Sequence, residues 1–276
     1  MGDADARVLI VNCDDLGIYE AVNHAIIEAV TRGVATTCSL MTPCPAAAGA
    51  MELLRRHPEI PFGIHLTVVC ELPALGWGPL VSKQRVSSLL TEDGEFFSEG
   101  QLDELMAQAR LDELELEFRA QIETALAAEL EPTHLDWHCF RDGGREDVFE
   151  LGVALAHEYG LALRASERAA QQRLRADGLP ALDHPLLDSF SLEVDGKSAR
   201  FAELLRTLPP GVTQWAVHPA FADDEVKRVD PDGWRVRNSD YEFLVSAEAQ
   251  EIAARENVVL ADYRRMQELW RATDAR

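Results

Sequence analysis

A chain of 276 residues with 47% apolar composition can bury one large α/β core, and a single (β/α) barrel reaches this size, so one domain spanning residues 1–276 is the starting expectation. Its 48 acidic against 26 basic residues leave a formal charge of -22, which repels nucleic-acid phosphates and anionic lipid and argues against both as partners. No stretch approaches about 18 unbroken apolar residues, and the opening MGDADARVLIVNCDD has no basic segment leading into a long apolar run, so a soluble, cytoplasmic protein is expected.

In chain order, short β-rich apolar runs alternate with stretches of helical period, the pattern of βα units around a parallel sheet. Residues 8–13 predict a strand. Residues 19–32 predict a helix in which Val22, Ile26, Ile27 and Val30 recur at helical spacing, ended by Gly33. A strand over 34–41, a helix over 46–56 and a strand over 62–67 follow. Residues 68–100, rich in Gly, Pro and Ser, predict a long irregular connection, which inside a compact domain usually serves as a lid or substrate wall. Residues 102–130 predict acidic amphipathic helices with Leu114, Phe118, Ile122 and Leu126 on one stripe and the charged faces in solvent. Further strands are expected at 133–138, 161–164, 186–192, 213–217 and 258–260, and residues 223–241, with Pro, Gly and charges, predict a second long loop. Seven or eight such repeats predict a (β/α) barrel-like fold, a closed, distorted or incomplete TIM-type barrel, with an open doubly wound sheet as the alternative. Five cysteines (Cys13, Cys38, Cys44, Cys70, Cys139) are odd in number and lack framework spacing, which suits reduced thiols.

In a parallel α/β architecture the site forms at the carboxyl ends of the strands, so polar residues there are informative. Four expected strands end in chemically capable groups: Asn12-Cys13-Asp14-Asp15, Gly63-Ile64-His65-Leu66-Thr67, His134-Leu135-Asp136-Trp137-His138 and Trp215-Ala216-Val217-His218-Pro219. Adjacent carboxylates repel and lose hydration on burial, so Asp14 and Asp15 call for a compensating cation or proton, unless the pair simply caps a helix. On a strand His65 faces away from Ile64 and Leu66, as a ligand or as a core histidine with its own partner. Period two puts His134, Asp136 and His138 on one face. His134 and His138 also stand four apart, as in the zinc-binding H-E-x-x-H helix, but Leu135 occupies the position of the required Glu and Glu131-Pro132 precedes the segment, which favours a strand.

A carboxylate and two imidazoles from separate strands make a three-ligand cation site with open positions, suited to hydrolysis. A neighbouring carboxylate then takes a proton from water and an acid protonates the departing amine, for which Asp14 and His218 are the candidates. Arg164, closing the 161–164 run, orients that base, pairs with a substrate anion, or forms an ordinary surface ion pair.

These motifs, in this order, resemble the YdjC/ChbG family of carbohydrate deacetylases: LIVNCDDLG, then NHAIIEAVTRGVATTCSLM, GIHLT, PTHLDWH, GLALRAS and VHPAF. The resemblance implies a (β/α)-barrel-like fold, one divalent metal ion held by an Asp and two His, and hydrolysis of N-acetyl groups on chito-oligosaccharides or related amino sugars. Matched motif by motif, it implies Asp15, His65 and His138 as metal ligands, Asp14 as catalytic base and His218 as the late histidine of the family's His-Pro motif. His134, Asp136 and Arg164 are then supports or part of the substrate wall. Such ligands suit Mg or Zn, and also Mn or Co. Where many members continue His-His-x-His after the ligand, this chain reads His138-Cys139-Phe140-Arg141, so the substrate rim differs; Arg141 there points to an acidic or phosphorylated substrate, or else pairs with Asp142 or Asp147. Two other readings are a different metal-dependent amidohydrolase or phosphodiesterase, and a non-catalytic carbohydrate-binding protein, against which Asp14 and His218 argue. Apolar helix faces within 102–130 and Trp270 are either core or the surface of a homodimer.

Overall fold

The computed structural model describes residues 5–273. Its sheet is built from eight parallel strands: β1 (Arg7–Leu16), β2 (Thr37–Leu40), β3 (Phe62–Leu66), β4 (His134–Trp137), β5 (Ala162–Leu163), β6 (Leu187–Asp188), β7 (Gly211–Val217) and β8 (Val258–Ala261). The helices are α1 (Glu20–Arg32), α2 (Ala47–Arg56), α3 (Leu102–Gln108), α4 (Leu111–Ala127), α5 (Glu146–Tyr159), α6 (Arg168–Ala176), α7 (Lys197–Thr207), α8 (Asp224–Val229), α9 (Trp234–Leu244), α10 (Ala247–Arg255) and α11 (Arg264–Thr273).

Strand order is β5-β4-β3-β2-β1-β7-β6, and β8 pairs with β1 alone. β7 takes one edge of β1; the other is shared between β8, opposite Arg7 to Ile10, and β2, opposite Asn12 to Leu16. A closed barrel would seat its last strand between β7 and β1, but here those two bond directly. β5 and β6 do not pair, and a backbone bond from the Leu186 N–H to the Ser166 carbonyl (2.9 Å) spans the gap between them. The fold is therefore (β/α)-barrel-like, open and incomplete. Because both faces of a parallel sheet are covered, β1 reads as a continuous apolar run, and Leu9, Ile10 and Val11 are all buried.

Residues 223–241 are not a loop. They carry α8 and most of α9, and the buried face of α9 includes Arg237 and Asp240 beside Phe243 and Leu244. The carboxyl end of α9 is seated on the end of α1: Val34 donates its N–H to the Leu244 carbonyl (3.0 Å), and a Cβ at Gly33 would lie 2.4 Å from that oxygen. Gly33 is thus required by a close backbone approach, not by a left-handed conformation.

The acidic helix also departs from expectation. Leu114, Phe118 and Ile122 are core, but Leu126 is 42% exposed, and Glu113 and Glu117 are buried instead of solvated. Glu117 accepts backbone N–H bonds from Leu80 (3.1 Å) and Val81 (3.2 Å), and Glu113 accepts one from Ser88 (2.7 Å). α4 therefore pins the long connection between β3 and α3, whose backbone donors have no strand to pair with. Replacing Glu117 with Ala is expected to cost about 2–3 kcal/mol, since it removes the acceptor of the buried Gln121 amide (2.9 Å) and of two part-buried backbone donors at once. Urea unfolding would measure the loss, and proteolysis should then cut first within residues 72–100. Trp270 is 1% exposed and belongs to the core, as does the Leu114–Phe118–Ile122 stripe, so neither forms a dimer surface.

Candidate active site

On a regular strand Asp14 and Asp15 would point to opposite faces. Between Cys13 and Leu16 the pairing of β1 with β2 slips by one residue, and Asp15 adopts a left-handed backbone (φ 71°). This bulge turns both carboxylates into one cleft at the carboxyl ends of the strands, as bulges near functional sites often do. Gly17 (φ 107°) completes the turn, where a Cβ would lie 2.9 Å from the Met41 carbonyl oxygen.

Asp15 meets two imidazoles there. Its Oδ1 lies 3.5 Å from His65 Nε2 and 3.3 Å from His138 Nδ1, while Oδ2 takes the Arg237 guanidinium at 2.8 Å. Each imidazole is held through its other nitrogen by a carboxylate: His65 Nδ1 by Asp136 (2.7 Å) and His138 Nε2 by Glu71 (2.7 Å). Such carboxylate–imidazole pairs fix ring orientation and tautomer in metal sites. One donor atom each from Asp15, His65 and His138 lies within 4.8 Å of the others, so these three buried groups could hold a metal ion. Burial opposes ionisation of Asp15, yet Arg237 and the hydrogen bonds from His138 and His65 keep its carboxyl well below the usual range. Asp136 behaves alike, burial being outweighed by Arg164 and His65. Burial likewise opposes a proton on His65, but Asp136 and Asp14 push its pKa up to about 9. The buried carboxylates Asp14, Asp15, Asp136 and Asp230 and the part-buried Glu71 outnumber the guanidiniums of Arg164 and Arg237, so the cluster draws positive charge. A carboxylate with two imidazoles in such a field suits a divalent cation.

Asp14 is clamped by Arg164, whose Nη1 and Nη2 donate to its two oxygens at 2.9 Å, and by Asn12 (2.6 Å). Arg164 is 3% exposed and also reaches Asp136 (3.1 Å), which removes the surface-ion-pair reading. His218 stands after β7 with its Nδ1 3.0 Å from Ser189 Oγ. His134 sits beneath the cleft, fully buried, stacked 3.8 Å from the Tyr263 ring, in a space kept open by Gly63, where a Cβ would come 2.5 Å from the imidazole. Arg141 pairs with Glu167 (3.1 Å) and Asp188 (3.3 Å), not with Asp142 or Asp147. Asp142, itself left-handed (φ 50°), accepts the N–H groups of Ser166 and Glu167, and Asp147 takes Arg145.

Asp14, Asp15, His65, His138, Arg164 and His218 thus line one cleft of about 180 Å³, with Arg141 at its rim. A larger cavity of about 710 Å³ opens at the amino ends of β3, β4 and β5, lined by Phe62, Thr133 and Leu161, but it holds none of these groups. Those carboxylates and imidazoles all face the smaller one. Sequence reasoning missed Glu71, Arg237, Ser189 and Asp240. Glu71 lies in an irregular stretch without a pattern, Ser189 lies inside the run expected as a strand over 186–192, and Arg237 and Asp240 lie in the presumed loop; Asp230-Pro231-Asp232-Gly233 was the one visible sign of a turn starting a helix there.

Residues 8–255 match the model of the family described as YdjC-like protein. The chain is 27% identical over 258 residues to a carbohydrate deacetylase of Thermoanaerobacter pseudethanolicus, covering 93% of this chain and 98% of that one. It is 35% identical over 219 residues to a carbohydrate deacetylase of Geobacillus stearothermophilus, covering 79% and 81%. A crystal structure from Enterococcus faecalis, described provisionally as a cellobiose-phosphate cleavage protein, superposes with a TM-score of 0.82 at 28% identity, covering 95% of this chain and 99% of that one. The matched span takes in every residue of the cleft, and on it this chain belongs to the YdjC-like family.

Proposed function

We propose that the protein is a metal-dependent deacetylase that hydrolyses the N-acetyl group of an amino sugar or amino-sugar oligosaccharide. The observation that carries this reading is the meeting of Asp15, His65 and His138 beside two further held groups, Asp14 with Arg164 and His218 with Ser189, in one cleft. The carbohydrate deacetylases among its relatives supply the substrate class. Engagement of Arg141 by two carboxylates weighs against an acidic or phosphorylated substrate and for a neutral sugar.

Asp15, His65 and His138 would hold the ion, which when bound supplies a Lewis acid for the amide carbonyl and for water. The remaining steps fall to the protein. Asp14, aimed by the two-pronged contact with Arg164, takes a proton from the attacking water. The new C–O bond forms as the C–N bond breaks, and His218 gives its proton to the departing nitrogen, leaving acetate and a free amine. Glu71 and Asp136 keep the ligand imidazoles from rotating.

Incubating the metal-loaded protein with a panel of N-acetylated sugars and scoring acetate by mass tests reaction and substrate together. Acetate release that EDTA abolishes and added Mg²⁺, Zn²⁺, Mn²⁺ or Co²⁺ restores is the expected result. Release unaffected by exhaustive chelation would end the metal-dependent reading, and cleavage of a phosphoester in the same panel would replace the deacetylase one.

A further inference from the structure

Behind His218 lies a buried hydrogen-bond chain to which no step above assigns a role. Ser189 Oγ lies 3.0 Å from His218 Nδ1 and donates to Asp240 Oδ2 at 2.5 Å; the backbone N–H of His218 donates to the same Oδ2 at 2.9 Å; and Lys197 Nζ lies 2.6 Å from Asp240 Oδ1. Ser189 and Asp240 are 0% exposed and Lys197 is 1% exposed. The residues come from three places: the turn after β6, the middle of α9 and the first position of α7.

The directions of these bonds follow from donor counting. An ammonium against one oxygen and an amide N–H on the other hold Asp240 as a carboxylate, which can only accept. The Ser189 hydroxyl has one proton, and Asp240 takes it. Ser189 Oγ can therefore face His218 only as an acceptor, so His218 Nδ1 must carry a hydrogen. We infer that Ser189 and Asp240 are positioning residues that lock the neutral His218 as its Nδ1–H tautomer, reserving Nε2 for the cleft. The bond one ring nitrogen makes decides where the proton sits on the other. Nε2 is then the nitrogen that gains and delivers a proton, while Nδ1–H never leaves Ser189. Phe190, 42% exposed, sets its ring 4.7 Å from the His218 imidazole and limits its rotation about the same bond.

This inference rests on His218 being the acid, and its test separates the two ideas. Nitrogen-15 NMR of the histidine rings in the full chain, with His218 identified by its loss in His218→Asn, reads the tautomer without activity. Wild type should show the proton of neutral His218 on Nδ1. Ser189→Ala should yield a mixture of tautomers and a kcat about tenfold lower at unchanged KM, recovered by Ser189→Thr, because a general acid contributes about 10²–10⁴ in rate. Asp240→Leu, paired with Lys197→Met so that no charge is left buried alone, removes the acceptor of the Ser189 proton, frees that hydroxyl to donate to Nδ1 and should move the proton toward Nε2, with kcat down by about 10²-fold or more. A wild-type proton on Nε2, or tautomers unmoved in both variants, would overturn the lock. Tautomers that move while kcat does not would uphold the lock and remove His218 from the reaction.

Discussion

Asp14→Asn is expected to lower kcat for acetate release by about 10²–10⁴, the range a positioned general base contributes, with divalent-cation affinity close to wild type. The amide occupies the same volume and still accepts one bond from Arg164, but it cannot take a proton from water. Asp15→Asn should do the reverse at the level of binding, weakening cation affinity before any chemistry can be measured. The two residues are adjacent, equally buried and turned into the same cleft by one bulge, so general damage would strike both alike. Calorimetric titration of the metal alongside initial rates of acetate release distinguishes them. A turnover number for Asp14→Asn equal to wild type would remove Asp14 from the mechanism.

Arg237→Met should destabilise the metal-free protein by about 3–5 kcal/mol, the cost of leaving a buried partner charge alone, which is on the order of 10 °C in Tm for a chain of this size. Arg237 neutralises Asp15 at 2.8 Å and Asp230 at 2.9 Å, and all three groups are buried. Combining the change with Asp230→Asn isolates the part owed to Asp15. Saturating divalent cation should then recover most of that part, because an ion on Asp15 supplies the missing positive charge. Thermal unfolding with and without metal is the measurement; equal losses in both conditions would mean that the cation does not sit on Asp15.

What the sequence revealed and what it hid follow from where each signal lives. The four strand-end segments were readable because a parallel sheet gathers the residues after its strands into one place, so Asp14, Asp15, His65, His138 and His218 could be named together without knowing any distance. Arg164 was readable as a partner for the base for the same reason, although its burial was not. α9 was hidden because hydrophobic periodicity detects helices that bury apolar stripes. This helix turns Arg237 and Asp240 inward, and charges in that rhythm look like loop. Glu113 and Glu117 misled in the opposite sense: their partners are backbone N–H groups about 25 to 37 residues away, which no local pattern encodes. An incomplete barrel was among the expectations, but the place of its open seam, between β5 and β6, was not readable, since two-residue strands leave almost no alternation to read.

Arg237 and Asp240 stand three residues apart on α9, a rise of about 4.5 Å along the helix axis. One reaches the acid proposed to grip the ion, and the other, through Ser189 and a backbone N–H, holds the histidine proposed to feed the leaving group. Both poles of the cleft are consequently hung from a single rigid rod, and the span a substrate amide must bridge is calibrated by helical geometry, not by two independent loops. Gly33, against which that rod is butted far from the cleft, becomes the set-screw of the gauge.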